Sequence, residues 1–242
     1  MSTPTVLTNA VIAIDGEEAT ATANNVKLSL SGDTKDATTF KSGGWKVHKP
    51  GLAMSAFNVD GLVSYDENDQ DAQSFARLLE FTNSPVTLAE EDAAGAVAYL
   101  LETARAQLGF GAPVGELARY QAAGDGDGAA ARGALIEVTA EAGITGAHVS
   151  AAVLVAEGTR LVAHVHIIAA GSDTTTYTPT LDWARDGGGA SGSVAGTAIT
   201  GTGSYRFDIP WPDPGNDVDV NIDVAVSDGL AYRTILAAGA TP

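Results

Sequence analysis

The sequence predicts a mainly β protein with a minor α component. A barrel- or sandwich-type β domain with two short helices is expected over residues 1–142, followed by an appended β-sandwich over 143–242. Three observations lead there. Apolar and polar residues alternate with period 2, as in Val26, Leu28 and Leu30 against Lys27, Ser29 and Ser31. From Pro113 onward, strand-like runs recur every ~8–15 residues between Gly/Asp turns, a sandwich or barrel signature. Helical spacing occurs in only two segments.

Each element follows in order. The apolar run Val11, Ile12, Ala13, Ile14 ends at Asp15-Gly16, a hairpin turn pair. The alternating strand from Val26 is broken by Ser31-Gly32-Asp33. Residues 33–51 then form a polar stretch holding four of the five lysines together with Phe40 and Trp45. Loops of this length are usually functional or disordered. A strand resumes over 54–65. Asp71 can cap a first helix with Phe75, Leu78 and Leu79 on one face, stopped by Asn83-Ser84-Pro85. After a short strand over 85–88, Asp92 can cap a second helix. Its apolar face is Val97, Leu100, Leu101, Ala104 and Leu108, closed by Gly109. The later strands are expected at 114–122, 131–139, 149–155, 159–169, 176–183, 204–211, 218–226 and 230–237. Turns are expected at 124–128, 157–158, 186–189 and 227–229, and the glycines around 143–146 mark the domain boundary.

Composition narrows the function classes. The 242 residues hold 30 acids against 13 bases, for a formal charge of −17. Such a chain is a poor binder of nucleic acid, whose affinity comes from cationic neutralisation of phosphates. With no cysteine, disulfide scaffolds, thiolate metal sites and cysteine nucleophiles are excluded. No basic n-region opens the chain, and no apolar run approaches the ~20 residues that span a bilayer, so no membrane partner is expected. Alanine (43), glycine (28) and threonine (24) dominate, yet the periodic β-branched runs argue against disorder. The acidic, lysine-poor composition fits adaptation to high salt or an alanine-rich GC-rich genome, and both readings stand.

No catalytic constellation emerges. His164 and His166 sit at i, i+2, so their rings share one strand face. That spacing suits a metal only with a third ligand, and two solvated histidines on a polar face are the simpler expectation. His48 and His148 stand alone. The acidic run 66–71 lacks the central Gly and closing Glu of a calcium loop, and reads as an acidic helix start. Asp217, Asp219, Asn221 and Asp223 alternate with Val218, Val220, Ile222 and Val224, which makes one face acidic and the other apolar. The glycines at 124–128 lack the Lys and Ser/Thr of a phosphate loop, and no serine lies in a G-x-S-x-G elbow. No catalytic residue, metal or cofactor is expected, and the chain reads as a structural or binding protein.

The order of motifs carries a resemblance. Asp36, Thr38 and Phe40, then Gly44-Trp45, then the turn Pro50-Gly51-Leu52, and later Gly115-Glu116 and Arg132-Gly133, succeed one another along the first half. This succession resembles the major tail tube proteins of long-tailed (siphovirus-type) phages and related tailed viruses. Ser42 stands where those proteins often have an acid, and Arg119-Tyr120 where Pro-Phe is common. In the second half, 157–170 and 204–211 resemble strands of the same family.

The resemblance implies a virion protein, assembled in the host cytoplasm, that forms stacked, commonly hexameric rings and acts on no substrate. Its implied partners are further copies of itself, a tape-measure protein in the lumen, and terminator and baseplate or distal tail proteins at the tube ends. DNA would be transiting cargo that is not bound. The segment 33–51 would reach the next ring, with Lys35, Asp36, Thr38, Phe40, Trp45, Pro50 and Gly51 as its contacts and the two aromatics as anchors; packing on their own domain is the alternative for both. The lumen is expected to be acidic, since a negative wall repels phosphate. Two other readings stay open. The second domain could bind glycans through Trp183, Tyr205 and Trp211, or the chain could belong to a secretion or injection tube.

Overall fold

The computed structural model describes residues 9–20, 22–36, 46, 48–63, 83–139, 143–228 and 230–242. Among them there are strands and turns and no helix. The first half contains β1 (Val11–Ile14), β2 (Glu17–Glu18), β3 (Ala23–Asp36), β4 (His48–Leu62), β5 (Ser84–Ala89), β6 (Val97–Gly111), β7 (Arg119–Gly126) and β8 (Ala131–Val138). The second contains β9 (Ile144–Thr145), β10 (His148–Val149), β11 (Val153–Val155), β12 (Arg160–Ala169), β13 (Thr176–Arg185) and β14 (Ser191–Ala195). It ends with β15 (Ile199–Thr200), β16 (Gly203–Pro210), β17 (Val218–Val226) and β18 (Ala231–Thr241).

All ladders between these strands are antiparallel. The larger sheet has the order β16-β12-β18-β8-β6-β5-β1-β2, and β7, β4 and β3 branch from it in turn along the distal part of β6. The smaller has the order β10-β17-β13-β14, with β11 on β17 and β15 on β13. The larger sheet crosses the expected 142/143 boundary, because β18 pairs with β8 from Ile235↔Val138 to Ala240↔Arg132. At its closest point Gly133 faces Gly239, and a Cβ on Gly133 would stand 2.0 Å from the Ala238 carbonyl oxygen.

Three apolar clusters hold these layers. Leu161, Ala163, Val165 and Ile167 on one face of β12 meet Leu181 of β13 and Val218, Val220, Ile222 and Val224 of β17. This is a sandwich between the two sheets, and the alternation in β17 follows the sequence expectation, with its aspartates on the outer face. The other face of β12 looks into the curl of the larger sheet, where Val162 packs with Val11, Leu100, Leu135, Ile235 and Ala237. A third cluster lies on the far side of β1, β5 and β6, where Ile12, Val86, Leu88 and Leu101 meet Phe57, Val59 and Tyr120 of β4 and β7.

The second expected helix is instead strand β6. Ala98 and Leu100 point to the curl interior, while Leu101 and half-buried Tyr99 point to the outer cluster. Both faces are covered, so the apolar run is continuous, and a continuous run mimics i, i+3, i+4 spacing. Asp92 lies in the turn before β6, where its amide donates to the Asn9 carbonyl (2.9 Å). The first expected helix and the acidic run 66–71 lie outside the described residues. The strand expected at 114–122 begins only at Arg119, after a turn with Gly115 at φ +93°, and the one at 149–155 divides into β10 and β11.

Candidate assembly surface

The described ends of the stretch expected as a loop at 33–51 are ladder. β3 runs to Asp36 and β4 starts at His48, paired from Ala23↔Gly61 to Asp36↔His48. On its other side β4 meets β7 only between Ala56 and Leu62. Residues 30–36 of β3 and 48–55 of β4 therefore extend past β7 as a two-stranded arm, roughly 20 Å long at ~3.3 Å per residue. The outer edge of β3 pairs with no strand among the described residues.

Four of the expected contact residues, Lys35, Asp36, Pro50 and Gly51, lie on this arm. Lys35 is exposed and ion-paired with Asp33. Asp36 is exposed and lies opposite His48 in the ladder. Pro50 lies opposite Thr34 beside a register shift between Gly32 and Thr34. The Pro50-Gly51-Leu52 motif is thus a β-bulge inside a strand rather than a turn, a position that tolerates proline in a ladder. Thr38, Phe40 and Trp45 lie outside the described residues.

Sequence reading missed the apolar surface of the arm. Leu30, Leu52 and Met54 are 61%, 80% and 59% exposed. Leu30 and Met54 also line a groove of about 600 Å³ with Ala129, Ala130 and Pro242. Their period-2 placement is the same as that of core residues, so sequence alone gave no signal of exposure. In the sequence, the segment 27–49, part of which forms the arm, holds all five lysines beside only two aspartates, on a chain of net −17.

The other candidates resolve differently. His164 and His166 share a strand face with ring centroids 5.8 Å apart, but both are fully buried, which corrects the solvated reading. The face opposite the sandwich is covered by the curling sheet, so β12 has no polar, wet side. His148 pairs with Glu137 (2.8 Å). No group of three or more His, Asp or Glu suited to a metal occurs among the described residues. Trp211 is buried with its indole N–H donating to the Asp213 and Asn216 carbonyls (3.2 and 3.1 Å). Trp183 lies over Gly192, and Tyr205 packs edge-to-face on Phe207 against the sandwich core. Trp183 and Tyr205 are half-buried and pack against the sandwich core. No described helix is long and apolar enough to cross a membrane.

No protein-family model matches the chain, and no curated protein matches it. Fourteen chains of solved structures match. The chain is similar to a protein in the virion of a native gene transfer agent particle, at 17% identity and TM-score 0.43, over 53% of this chain and 98% of that one. It is also similar to a protein in the tail of an empty gene transfer agent particle solved with C6 symmetry, at 17% identity and TM-score 0.37, over 48% and 91%. A third likeness is to the SPP1 Dit protein, described as a paradigm of the hub adsorption apparatus in phages infecting Gram-positive bacteria. There the identity is 13% and the TM-score 0.33, over 95% of this chain and 98% of that one.

Proposed function

We propose that the chain is a structural virion protein that assembles with copies of itself into stacked rings, building a tail tube through which a genome passes. The observation that carries this reading is the arm. Two pieces of the tube-type motif order, Asp36 and Pro50-Gly51-Leu52, fall on a projecting two-stranded ribbon whose outer edge pairs with no described strand and which exposes Leu30, Leu52 and Met54. Monomeric proteins rarely leave a long edge and an apolar ribbon uncovered, and an open edge is a template for pairing with another chain. In this reading Lys35, Asp36, Thr38, Phe40, Trp45, Pro50 and Gly51 contact the next ring.

The strands of 143–242 that build the second sheet decorate the tube exterior, and the lumen is lined with acids so that DNA slides without being held. A tape-measure protein fills that lumen during assembly, and terminator and baseplate proteins close the ends. The protein performs no catalysis. Negative-stain microscopy of the purified chain tests the reading. Rings or tubes roughly 100 Å across are expected from six domains of ordinary radius. A monodisperse monomer, at high concentration and with tape-measure and baseplate proteins supplied, would refute it.

A further inference from the structure

The larger sheet curls until its two ends meet, and side chains rather than a ladder join them. The β1–β2 turn, with Asp15 at φ +50° and Gly16 at φ +85°, lies directly on β16, where a Cβ on Gly16 would stand 2.5 Å from the Gly203 backbone. Asp15 accepts hydrogen bonds from Ser84 of β5 (3.0 Å) and from Ser204 of β16. Beside it runs a chain of four groups. The Gly16 amide donates to His166 Nδ1 (3.2 Å), and Thr87 Oγ1 lies 2.9 Å from His166 Nε2 and 3.0 Å from His164 Nδ1.

The direction of this chain follows from the amide. Because His166 Nδ1 accepts, a neutral His166 carries its proton on Nε2 and donates it to Thr87. The Thr87 hydroxyl then donates to His164 Nδ1, which leaves the His164 proton on Nε2. That nitrogen has no hydrogen-bond partner among the described residues. The order holds only while both imidazoles are neutral. A proton on His166 Nδ1 would oppose the Gly16 N–H, and one on His164 Nδ1 would remove the acceptor of Thr87.

The charged neighbours do not offset this at His164. Arg206 stands opposite it in the β12–β16 ladder, with Nη2 3.2 Å from Asp208 and Nε 3.6 Å from Glu102. Asp15, Glu17 and Glu18 come from the β1–β2 hairpin, and Arg233 of β18 pairs with Glu18 (3.1 Å). β5 contributes only the hydroxyls of Ser84 and Thr87. Burial, then the charges of His166 and Arg206, hold the His164 pKa well below the ordinary imidazole value.

We propose that this side-chain seam is an acid-labile latch: protonation of His164 and His166 breaks the chain from Gly16 through Thr87, freeing the β1–β2 turn from β12 and β16 while the sandwich behind stays folded. The latch acts within one chain and is independent of ring assembly. Each proton taken up on opening shifts the opening equilibrium about tenfold per pH unit below the free-histidine pKa.

Hydrogen exchange on the unassembled full chain tests it, between pH 7.5 and 5.5, where carboxylates of ordinary pKa stay largely charged. After correction for intrinsic exchange, Gly16 amide protection is expected to fall at least tenfold, while that of Leu181 and Ile222 in the sandwich stays constant. In the His164→Asn/His166→Asn variant, whose amide oxygens keep acceptors near both Nδ1 positions, Gly16 protection should not change with pH. If that variant fails to fold, imidazole proton NMR of the native chain decides. Seam histidines that titrate together with Gly16 opening support the latch. Unchanged Gly16 protection across their titration, or parallel loss at Leu181, overturns it.

Discussion

Removing the Thr87 hydroxyl without changing the shape of the side chain tests the seam directly. Thr87 is fully buried on β5, and its hydroxyl lies within hydrogen-bond distance of both His164 Nδ1 and His166 Nε2. In Thr87→Val both imidazole nitrogens are left facing a methyl group. A buried polar group without its partner costs about 1–3 kcal/mol, so two of them cost about 4 kcal/mol. The extra buried methyl returns about 1 kcal/mol, leaving a net loss of about 3 kcal/mol. With a urea m-value of about 3 kcal/mol per molar, expected for a chain of this size, the unfolding midpoint should fall by about 1 M. The assay is urea unfolding at pH 7.5, followed by tryptophan fluorescence and far-UV circular dichroism. Thr180→Val on the outer face of the small sheet is the control and should shift stability by less than about 0.5 kcal/mol. A Thr87→Val loss no larger than that of the control would refute the hydrogen-bond chain.

Other outcomes bear on the rest of the fold and on assembly. Gly133→Ala forces a Cβ into the Ala238 carbonyl across the β8–β18 ladder and should cost about 3 kcal/mol or more, read as a lower thermal midpoint. Leu30→Glu and Met54→Glu place charges on exposed arm positions. They should leave the monomer's midpoint within about 0.5 kcal/mol while sharply reducing rings or tubes in sedimentation and micrographs. Phe40→Ala and Trp45→Ala should shorten or abolish tubes if these aromatics anchor the next ring. Tubes of normal length and stability would remove them from the interface. The seam also predicts the sign of the pH dependence. His164 is held neutral in the folded chain, so its contribution is complete above about pH 6.5 and is lost as the pH falls and the unfolded chain takes up the proton. Urea midpoints between pH 7.5 and 5.5 should fall more steeply in the native chain than in His164→Asn.

Legibility in the sequence tracked how each strand is covered. β17 was readable to the residue because one face is core and the other wet, which writes apolar and acidic residues in strict alternation. β6 was not, because both faces of its first part are buried, and the result was an apolar run that mimics a helix. In β12 the strand itself was read to within one residue, but with both faces buried its histidine pair resembled a solvated face. The arm failed for the opposite reason. Its residues 30–36 and 52–54 are exposed, so the stretch reads as loop although it forms a ladder up to Asp36↔His48. The seam is illegible in principle from one sequence. Gly16, Thr87, His166 and Ser204 are separated by tens of residues, and each is unremarkable alone; only the curl of the sheet brings them together.

The edges of the larger sheet suggest how copies of the chain would meet. Its β2 and β16 ends are buried against each other through the seam and are not open to pairing. The β3 edge pairs with no strand among the described residues, and the sequence segment 27–49 around it carries a charge asymmetry: lysines at 27, 35, 41, 46 and 49 beside two aspartates, on a chain that is otherwise strongly acidic. Two 27–49 segments placed side by side about a two-fold axis would bring like charges together, as would two acidic bodies. A 27–49 segment laid on the body of the next copy would bring opposite charges together. Charge therefore favours a head-to-tail contact over an isologous dimer. A head-to-tail contact does not satisfy itself in a pair; it closes only as a ring or continues as a filament. In the proposed rings and stacks, this placement of the lysines would favour head-to-tail contacts, and screening them with salt should weaken those contacts while leaving the buried seam unaffected.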